Sequence, residues 1–299
     1  MVRYSEKELD KFRKAGAIAA KALRFGLGLI EPGASLLEVS QAVEREISRL
    51  GGAPAFPAQI SLNNIAAHYC AQPDDTIRFA EGDVAKLDVG VHIDGYVGDT
   101  ANSKDLGGHG LLVDAAREAL AGAIRAAAPD VPIRELSQAI QSTISSMGFK
   151  PVSNLTGHAV GQYQVHGPPQ IPNVPEYRAG TLKKGLVIAI EPFASDGKGV
   201  VHDHGRAEIF SAKRKLKLRR GMDKAILDAV AAFRGLPFAR RNLTDDFPRK
   251  DVDRTLHEMV KGGLLFDYPP LAEKPGIFLS QAEHTIYVDD EPEILTLPD

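Results

Sequence analysis

The sequence predicts an α+β protein of two pseudo-symmetric halves, each with two helices followed by an antiparallel sheet, and a helical subdomain inserted in the second half. Three observations support this fold: an internal repeat, a β-hairpin signal, and a helical segment that interrupts the second copy. A chain of 299 residues can bury one large core. We therefore predict a single domain over 1–299, with halves at about 1–105 and 106–299 and the insertion at 206–268.

The internal repeat is the strongest of these observations. The stretch "PGASLLEVSQAVEREISRLG" (32–51) aligns without a gap with "PDVPIRELSQAIQSTISSMG" (129–148), an offset of 97. The alternative is a chance likeness between two amphipathic helices. Shared polar positions, such as the Ser-Gln-Ala triplets at 40–42 and 137–139, and the shared final glycine favour a true repeat.

Helix signals recur at matching places in the two halves. Ser5 with Glu8 and Ser35 with Glu38 are capping-box patterns that predict helices running to about residue 30 and to Gly51. Two further helices are predicted at about 111–128 and 132–147. Residues 53–103, between the two helix pairs, have the pattern of strands and loops.

The stretch "KLDVGVHIDGYVGDT" (86–100) predicts a hairpin that turns at Asp94-Gly95. A two-residue turn places Asp99 opposite Gly90, so Asp88 lies diagonal to Asp99 on the same face. Two carboxylates on one apolar face repel each other and are costly to desolvate without a positive partner. A metal ion, Lys86 on the same face, or an exposed face are the three explanations that the hairpin alone leaves open.

The second copy of the repeat contains two more carboxylates. With a further shift of six residues Asp88 aligns with Glu191 in "GLVIAIEPF", and the likeness of "GDTANS" to "AEHTIY" places Asp99 beside Glu283. The acids are 11 residues apart in the first copy and 92 in the second, so roughly 80 residues are inserted between about 200 and 270. Four carboxylates facing each other across a pseudo-two-fold axis suit divalent ions such as Mn, Fe, Co or Zn.

Three histidines are candidates for the same site. His158 and His166 lie in the glycine-rich, uncharged stretch "NLTGHAVGQYQVHGPP", and His68 precedes the hairpin among small and amide residues. For each histidine taken singly, a structural role is an equal alternative. Cys70 is the only cysteine, so no cysteine-based zinc cluster or disulfide framework is present, and a reducing compartment is expected.

The overall composition is that of a globular protein without a basic excess. Apolar residues make up 43% and charged residues 25% of the chain, and the net charge is −3. We expect no specific nucleic-acid partner. Because no apolar run approaches ~20 residues and no export signal is visible, we also expect no membrane partner and a cytoplasmic location.

Seven motifs, in order, carry a resemblance to a known family: "SLNNIAAHY", "KLDVGVHIDGYVGDTA", "LTGHAVGQYQVH", "AIEPF", "GKGVVHD", "DYPPL" and "QAEHTIYV". Together they resemble the type 2 methionine aminopeptidases, in their archaeal form, of the pita-bread metallopeptidase clan. The resemblance covers nearly the whole chain and includes the helical insertion that separates type 2 from type 1. It implies a pita-bread fold and a monomeric, cytoplasmic metallo-exopeptidase. Such an enzyme hydrolyses the N-terminal methionine from peptides and nascent proteins through a two-metal-activated water.

The same resemblance implies roles for particular residues. The ligands of two divalent ions (Co, Mn, Fe or Zn) would be Asp88, Asp99, His158, Glu191 and Glu283, with Asp99 and Glu283 bridging. The catalytic residues would be His68, His166 and Glu191, with Glu191 as general base and His166 stabilising the oxyanion. The substrate would be bound by His68 and His166, and its methionine side chain by Phe56, Val165 and Tyr268.

Two other functions stay open at this stage. An X-Pro dipeptidase or aminopeptidase of the same fold would use the same metal ligands. A non-catalytic ribosome- or RNA-binding relative is favoured by "KRKLKLRR" (213–220), with six positive charges in eight residues, but the presence of all five ligand types argues against it. Proximity to the ribosome also stays open for an enzyme that acts on nascent chains.

Overall fold

The computed structural model describes residues 4–213, 216 and 222–297. Its helices, within that part of the chain, are α1 (Glu6–Leu29), α2 (Leu36–Arg49), α3 (Gly110–Ala126), α4 (Ile133–Ser146), α5 (Lys224–Ala232), α6 (Arg241–Thr244) and α7 (Arg249–Lys261). The four helices predicted from capping and periodicity are confirmed to within one or two residues. The capping box at Ser5 is present, with Glu8 Oε2 accepting from the Ser5 backbone N–H at 2.8 Å.

The strands in the same part of the chain are β1 (Ala53–Pro54), β2 (Gln59–Leu62), β3 (Ile65–Ala67), β4 (Val84–Ile93), β5 (Tyr96–Asp105), β6 (Lys150–Pro151), β7 (Thr156–Gly161), β8 (Gln164–Pro172), β9 (Val187–Ile190), β10 (Phe193–Ser195), β11 (His202–Asp203), β12 (Ile209–Ala212), β13 (Phe238–Ala239), β14 (Leu265–Tyr268), β15 (Leu271–Ala272), β16 (Leu279–Gln281), β17 (His284–Tyr287) and β18 (Glu293–Ile294). The longest strands are β4 and β5, with ten residues each, and β8, with nine. All the strand pairings are antiparallel.

The internal repeat is visible in the backbone. Helices α2 and α4 both have 14 residues and begin 97 positions apart. The Phe79 N–H donates to Ala34 O, and at the equivalent place the Leu182 N–H donates to Val131 O. The second pair is displaced from the first by 97 and 103 residues, so the offset and the further shift of six are both confirmed.

The β4–β5 hairpin has the predicted register. Asp94 and Gly95 form the turn with φ values of 52° and 89°, the left-handed conformation that a two-residue hairpin loop requires. Asp99 pairs with Gly90, and Asp88 pairs with Ala101. Because side chains alternate along a strand, Asp88 and Asp99 share one face of the hairpin.

Each half buries its helices against its own sheet. Helices α1 and α2 pack on the β1-β4-β2 sheet, with β5 alongside β4. Helices α3 and α4 pack on the five-stranded sheet β18-β17-β9-β7-β8. The halves meet where β5 passes β17: the Thr100 hydroxyl donates to Glu283 O, and the Thr285 hydroxyl donates to Asp99 O. Reciprocal hydrogen bonds therefore hold the two strands that lead to Asp99 and Glu283 side by side.

The residues between β11 and β15 have a hydrophobic core of their own. Helices α5 and α7 contribute Ile226, Val230 and Leu256 to that core, as their apolar spacing predicts. The segment also contains a three-stranded sheet, β13-β12-β14, which the helical periodicity did not predict. An ion pair between Arg241 and Glu44 joins this segment to α2. The exact boundaries of the two halves and of the insertion at 206–268 stay a prediction.

Among the described residues, no helix is both long enough and apolar enough to cross a membrane.

Candidate metal centre

A cavity of ≈ 490 Å³ lies at the junction of the two halves and the inserted segment. All ten residues that the family resemblance singles out line it: Phe56, His68, Asp88, Asp99, His158, Val165, His166, Glu191, Tyr268 and Glu283. They come from at least five separate strands and from positions 227 residues apart in sequence at the extremes. The fold therefore brings every predicted site residue to one place.

The two acids of the second half lie at strand ends rather than within strands. Glu191 immediately follows β9, and Glu283 immediately precedes β17. Asn173, which is fully buried, holds the backbone around Glu191 in place. Its Nδ2 donates to Glu191 O at 3.2 Å, and its Oδ1 accepts from the Phe193 N–H at 2.7 Å.

His158 on β7 contacts the acids from the side. Its Nε2 lies 3.4 Å from Glu191 Oε1 and 3.9 Å from Asp99 Oδ2. Asp99, His158 and Glu283 each offer a ligand atom, and these atoms all lie within 4.8 Å of one another. All three residues are buried, so this group has the spacing and the seclusion of a metal site.

The acids are electrostatically unfavourable without a cation. Burial raises the pKa of Asp88 to about 7. Burial first, and repulsion from neighbouring carboxylates second, raise the pKa of Asp99, Glu191 and Glu283 well above the usual range. Four carboxylates in one cavity therefore favour a bound divalent cation, whose charge reverses both effects.

Hydrogen bonding leads to the same conclusion. Asp88 Oδ1 and Asp99 Oδ1 are buried and have no hydrogen-bond partner within residues 4–213, 216 and 222–297. Buried carboxylate oxygens are almost always paired, because an unpaired one loses its hydration without compensation. Carboxylate oxygens with one imidazole nitrogen are a donor set for Mn, Fe, Co or Zn. The residues present thus fit a divalent metal centre.

Lys86, the other candidate partner for the hairpin acids, has a different role. Its ammonium donates to the carbonyl oxygens of Asn63, Val84 and Leu279 at 3.0, 3.2 and 3.1 Å. Burial lowers the pKa of Lys86 to about 7, but three acceptors require three N–H donors, which only the charged form has. The lysine therefore neutralises backbone dipoles and leaves the acids for another cation.

The two predicted catalytic histidines line the same cavity as the carboxylates. The His166 ring meets the His158 ring edge-on at 4.6 Å between centroids, and Tyr268 lies 5.6 Å from His68 and 6.0 Å from His166. His68 has a left-handed backbone, with φ 66°, and its Nδ1 lies 3.3 Å from Pro269 O. Burial, and then His166, lower the pKa of His68 to about 4, so His68 is a neutral hydrogen-bonding group near pH 7.

An apolar wall adjoins the acids. Phe56 and Val165 are buried and line the cavity. The Phe56 ring lies directly over Gly90, where an added Cβ would be 2.1 Å from Phe56 Cε1. Glycine is thus the only residue that leaves room for this ring at position 90. The inserted segment completes the wall with Ile209, Pro237 and Phe266.

Several site residues were missed by the sequence analysis. Gln59, Asn154 and Thr156 line the cavity, and Thr285 and Asn173 support the ligands from behind. Gln59 could have been suspected, since a polar residue follows "FPA" at the start of the buried strand β2. The others gave no signal, because their partners are distant in sequence.

Burial raises the pKa of the Cys70 thiol to about 12, which makes it a packed, unreactive side chain. Most of the basic run at 213–220 lies outside the described residues.

Comparison with known proteins places these features in context. A model of metallopeptidase family M24 matches residues 10–219. A methionine aminopeptidase of Archaeoglobus fulgidus is 43% identical over 282 residues, which span 94% of this chain and 95% of that protein. The crystal structure of a Thermotoga maritima methionine aminopeptidase superposes with a TM-score of 0.72 and 26% identity, covering 99% of both chains.

A prolidase from Pyrococcus furiosus has a related structure. Its TM-score is 0.63 at 19% identity, and the match covers 100% of this chain but 66% of the prolidase chain. This likeness is one of fold alone. Together the structural likenesses confirm the predicted α+β pita-bread fold.

Proposed function

The chain belongs to metallopeptidase family M24, within its methionine aminopeptidases, and we propose that it removes the N-terminal methionine from peptides and nascent proteins with two divalent ions. The observation that carries this proposal is the single cavity lined by all ten predicted site residues. Asp88, Asp99, His158, Glu191 and Glu283 would hold the ions. The ions when bound would polarise the scissile carbonyl and acidify a water molecule.

The remaining chemistry falls to the protein's own side chains. Glu191, which lines the cavity beside the other acids, would accept the proton of the attacking water and pass it to the leaving amine. His166, with its ring exposed to the cavity, would donate a hydrogen bond to the developing oxyanion. His68, which is neutral near pH 7, would hydrogen-bond to the scissile amide.

The apolar wall would accept the methionine side chain. Phe56 and Val165 offer buried apolar surface beside the acids, and Tyr268 closes the far side, its hydroxyl 2.9 Å from Ser211 Oγ. An unbranched thioether is flexible enough to fill such a pocket. The enzyme is proposed to act as a monomer in the cytoplasm, where a lone buried thiol such as Cys70 persists in reduced form.

The test replaces one candidate metal ligand at a time. Asp99→Asn and Glu283→Gln should each lower metal content from two equivalents and reduce methionine release from a Met-Ala-Ser peptide by more than about 100-fold, since even residues that only support metal ligands contribute that much. Glu293→Gln changes a half-exposed glutamate that pairs with Arg13 and does not line the cavity, so it should leave both measurements unchanged.

Two results would contradict the proposal. Full methionine release by either ligand variant would exclude the two-metal assignment. Faster cleavage of an Ala-Pro-Ser peptide than of Met-Ala-Ser by the unmodified enzyme would instead favour an X-Pro peptidase.

A further inference from the structure

Gln59 has an unpaired buried oxygen in the cavity. The residue is 7% exposed and lines the cavity, and its Oε1 has no hydrogen-bond partner in the described part of the chain. A buried amide oxygen without a donor destabilises the folded protein, because the oxygen loses its hydration and gains no hydrogen bond in return. The amide of Asn173 differs, because its Nδ2 donates to Glu191 O and its Oδ1 accepts from the Phe193 N–H.

The position of Gln59 is defined by its strand register. It pairs with Asp88 across the β2–β4 ladder, so the two side chains leave the sheet on the same face, with Cβ atoms about 5 Å apart. Three residues earlier, Phe56 lies over Gly90, the next residue of β4 on that face. The Gln59 amide therefore lies beside the acids, and the apolar pocket begins next to it.

The substrate has one group that suits this oxygen. An N-terminal methionyl residue has its side chain and its α-amine on the same carbon atom. If the side chain lies against Phe56 and the amine points towards Asp88, the amine arrives beside Gln59. The thioether and the carbonyl are acceptors, so the amine is the only donor that this residue offers.

We propose that Gln59 Oε1 accepts a hydrogen bond from the α-amine of the substrate and so selects chains with a free N-terminus. The proposal rests on the proposed function, because it takes an N-terminal methionyl residue as the occupant. It makes Gln59 a specificity-determining residue that contacts the substrate.

The experiment compares two ligands that differ only in the amine. L-Methionine and 4-(methylthio)butanoate, its desamino analogue, are titrated into the Mn-loaded enzyme by calorimetry. Gln59→Met keeps the length of the side chain but removes the amide. It should weaken methionine binding about tenfold, as expected for one hydrogen bond. Binding of the desamino analogue should change by less than about twofold.

Phe56→Leu is the matched control within the same cavity. It shortens the apolar wall without touching the amide, so it should weaken both ligands by the same factor. Gln59→Asn keeps the amide but withdraws it by one methylene group, and it should lose part of the preference for methionine. A thermal melt completes the design: because the oxygen is unpaired without ligand, Gln59→Met should keep or raise the Tm of the ligand-free enzyme.

Each contrary result is informative. Equal weakening of both ligands in Gln59→Met, or a lowered Tm with no change in the preference for methionine, would assign Gln59 to packing and overturn the proposal. An unmodified enzyme that releases methionine from Met-Ala-Ser but binds both ligands equally would overturn it as well and leave the proposed function standing. An unmodified enzyme that neither binds methionine nor releases it would refute the proposed function itself.

Discussion

Lys86 and Asp88 are two residues apart on the same face of β4, and they show two ways of placing a charge inside a protein. The Lys86 ammonium has three carbonyl partners within 3.2 Å. Asp88 Oδ1 is equally withdrawn from water, yet it has no hydrogen-bond partner among the described residues. The lysine is satisfied by the protein itself, whereas the aspartate is left for something the protein binds.

The difference separates a structural charge from a functional one. A buried charge is tolerated when fixed dipoles replace its hydration, as the carbonyls of Asn63 and Leu279 do for Lys86. The acids of the cavity instead repel one another, so folding alone does not stabilise them. Gly90, next on the same face, offers neither a charge nor a side chain and makes room for Phe56.

The largest loss of stability is expected when Lys86, whose ammonium is fully hydrogen-bonded, is replaced. Lys86→Met removes three hydrogen bonds from a buried ammonium to carbonyl oxygens, each contributing about 1 kcal/mol or more, so the free energy of unfolding should fall by about 3 kcal/mol. Two of these oxygens keep a backbone donor, since Asn63 O accepts from the Leu279 N–H and Val84 O accepts from the Asn63 N–H. Urea denaturation measures the loss. Lys104→Met, which removes a single hydrogen bond to Leu27 O from a half-buried lysine, should cost about 1 kcal/mol or less. Equal losses in the two variants would show that the three carbonyls are not the reason for burying Lys86.

A smaller effect is expected at Gly90. Gly90→Ala forces the Phe56 ring aside and should destabilise the protein by about 1–3 kcal/mol, as overpacking does. The displaced ring enters the cavity, so the KM for Met-Ala-Ser should rise. Gly28→Ala, where the added Cβ meets nothing within 4 Å, should be neutral or slightly stabilising. An unchanged KM in Gly90→Ala would remove Phe56 from the substrate pocket.

The smallest effect concerns the unsatisfied acids in the metal-free protein. Their pKa values are raised in the folded state, so the folded protein takes up protons that the unfolded chain does not, and stability rises as the pH falls from about 8 to about 6.5. Below about pH 6.5 the unfolded chain gains charge on histidines that stay neutral when folded, such as His158, and this opposes the stabilising uptake of protons by the acids. In EDTA the Tm should rise by about 2–4 °C as the pH is lowered from about 8 to about 6.5.

Saturating Mn²⁺ supplies the contrast for this pH experiment. Protons then compete with the metal for the same oxygens, so the Tm should fall rather than rise as the pH is lowered. Glu283→Gln in EDTA should show a weaker pH dependence than the unmodified protein, because one titrating acid has been removed. A metal-free Tm that falls from about pH 8 to about 6.5 would contradict the raised pKa values.

Local patterns predicted much of the fold correctly. The caps at Ser5 and Ser35, the Asp94-Gly95 turn and the hairpin register depend on residues a few positions apart, where stereochemistry acts directly. The internal repeat then related Asp88 to Glu191, 103 positions away. The sheet inside the insertion was missed, because β12, β13 and β14 are only two to four residues long and come from three separate places in the sequence.

The amino-acid sequence by itself determined the helices, the hairpin and the two-fold repeat, and it predicted a set of site residues that all line one cavity. Only the tertiary structure decided which buried polar atoms have partners. Lys86 could equally have paired with the acids until Leu279, 193 positions away, supplied a carbonyl. Gln59 gained a role only beside Asp88. The reason is physical: propensity and register act between neighbours in the chain, whereas the hydrogen bonds of a buried group depend on whichever strands are packed around it.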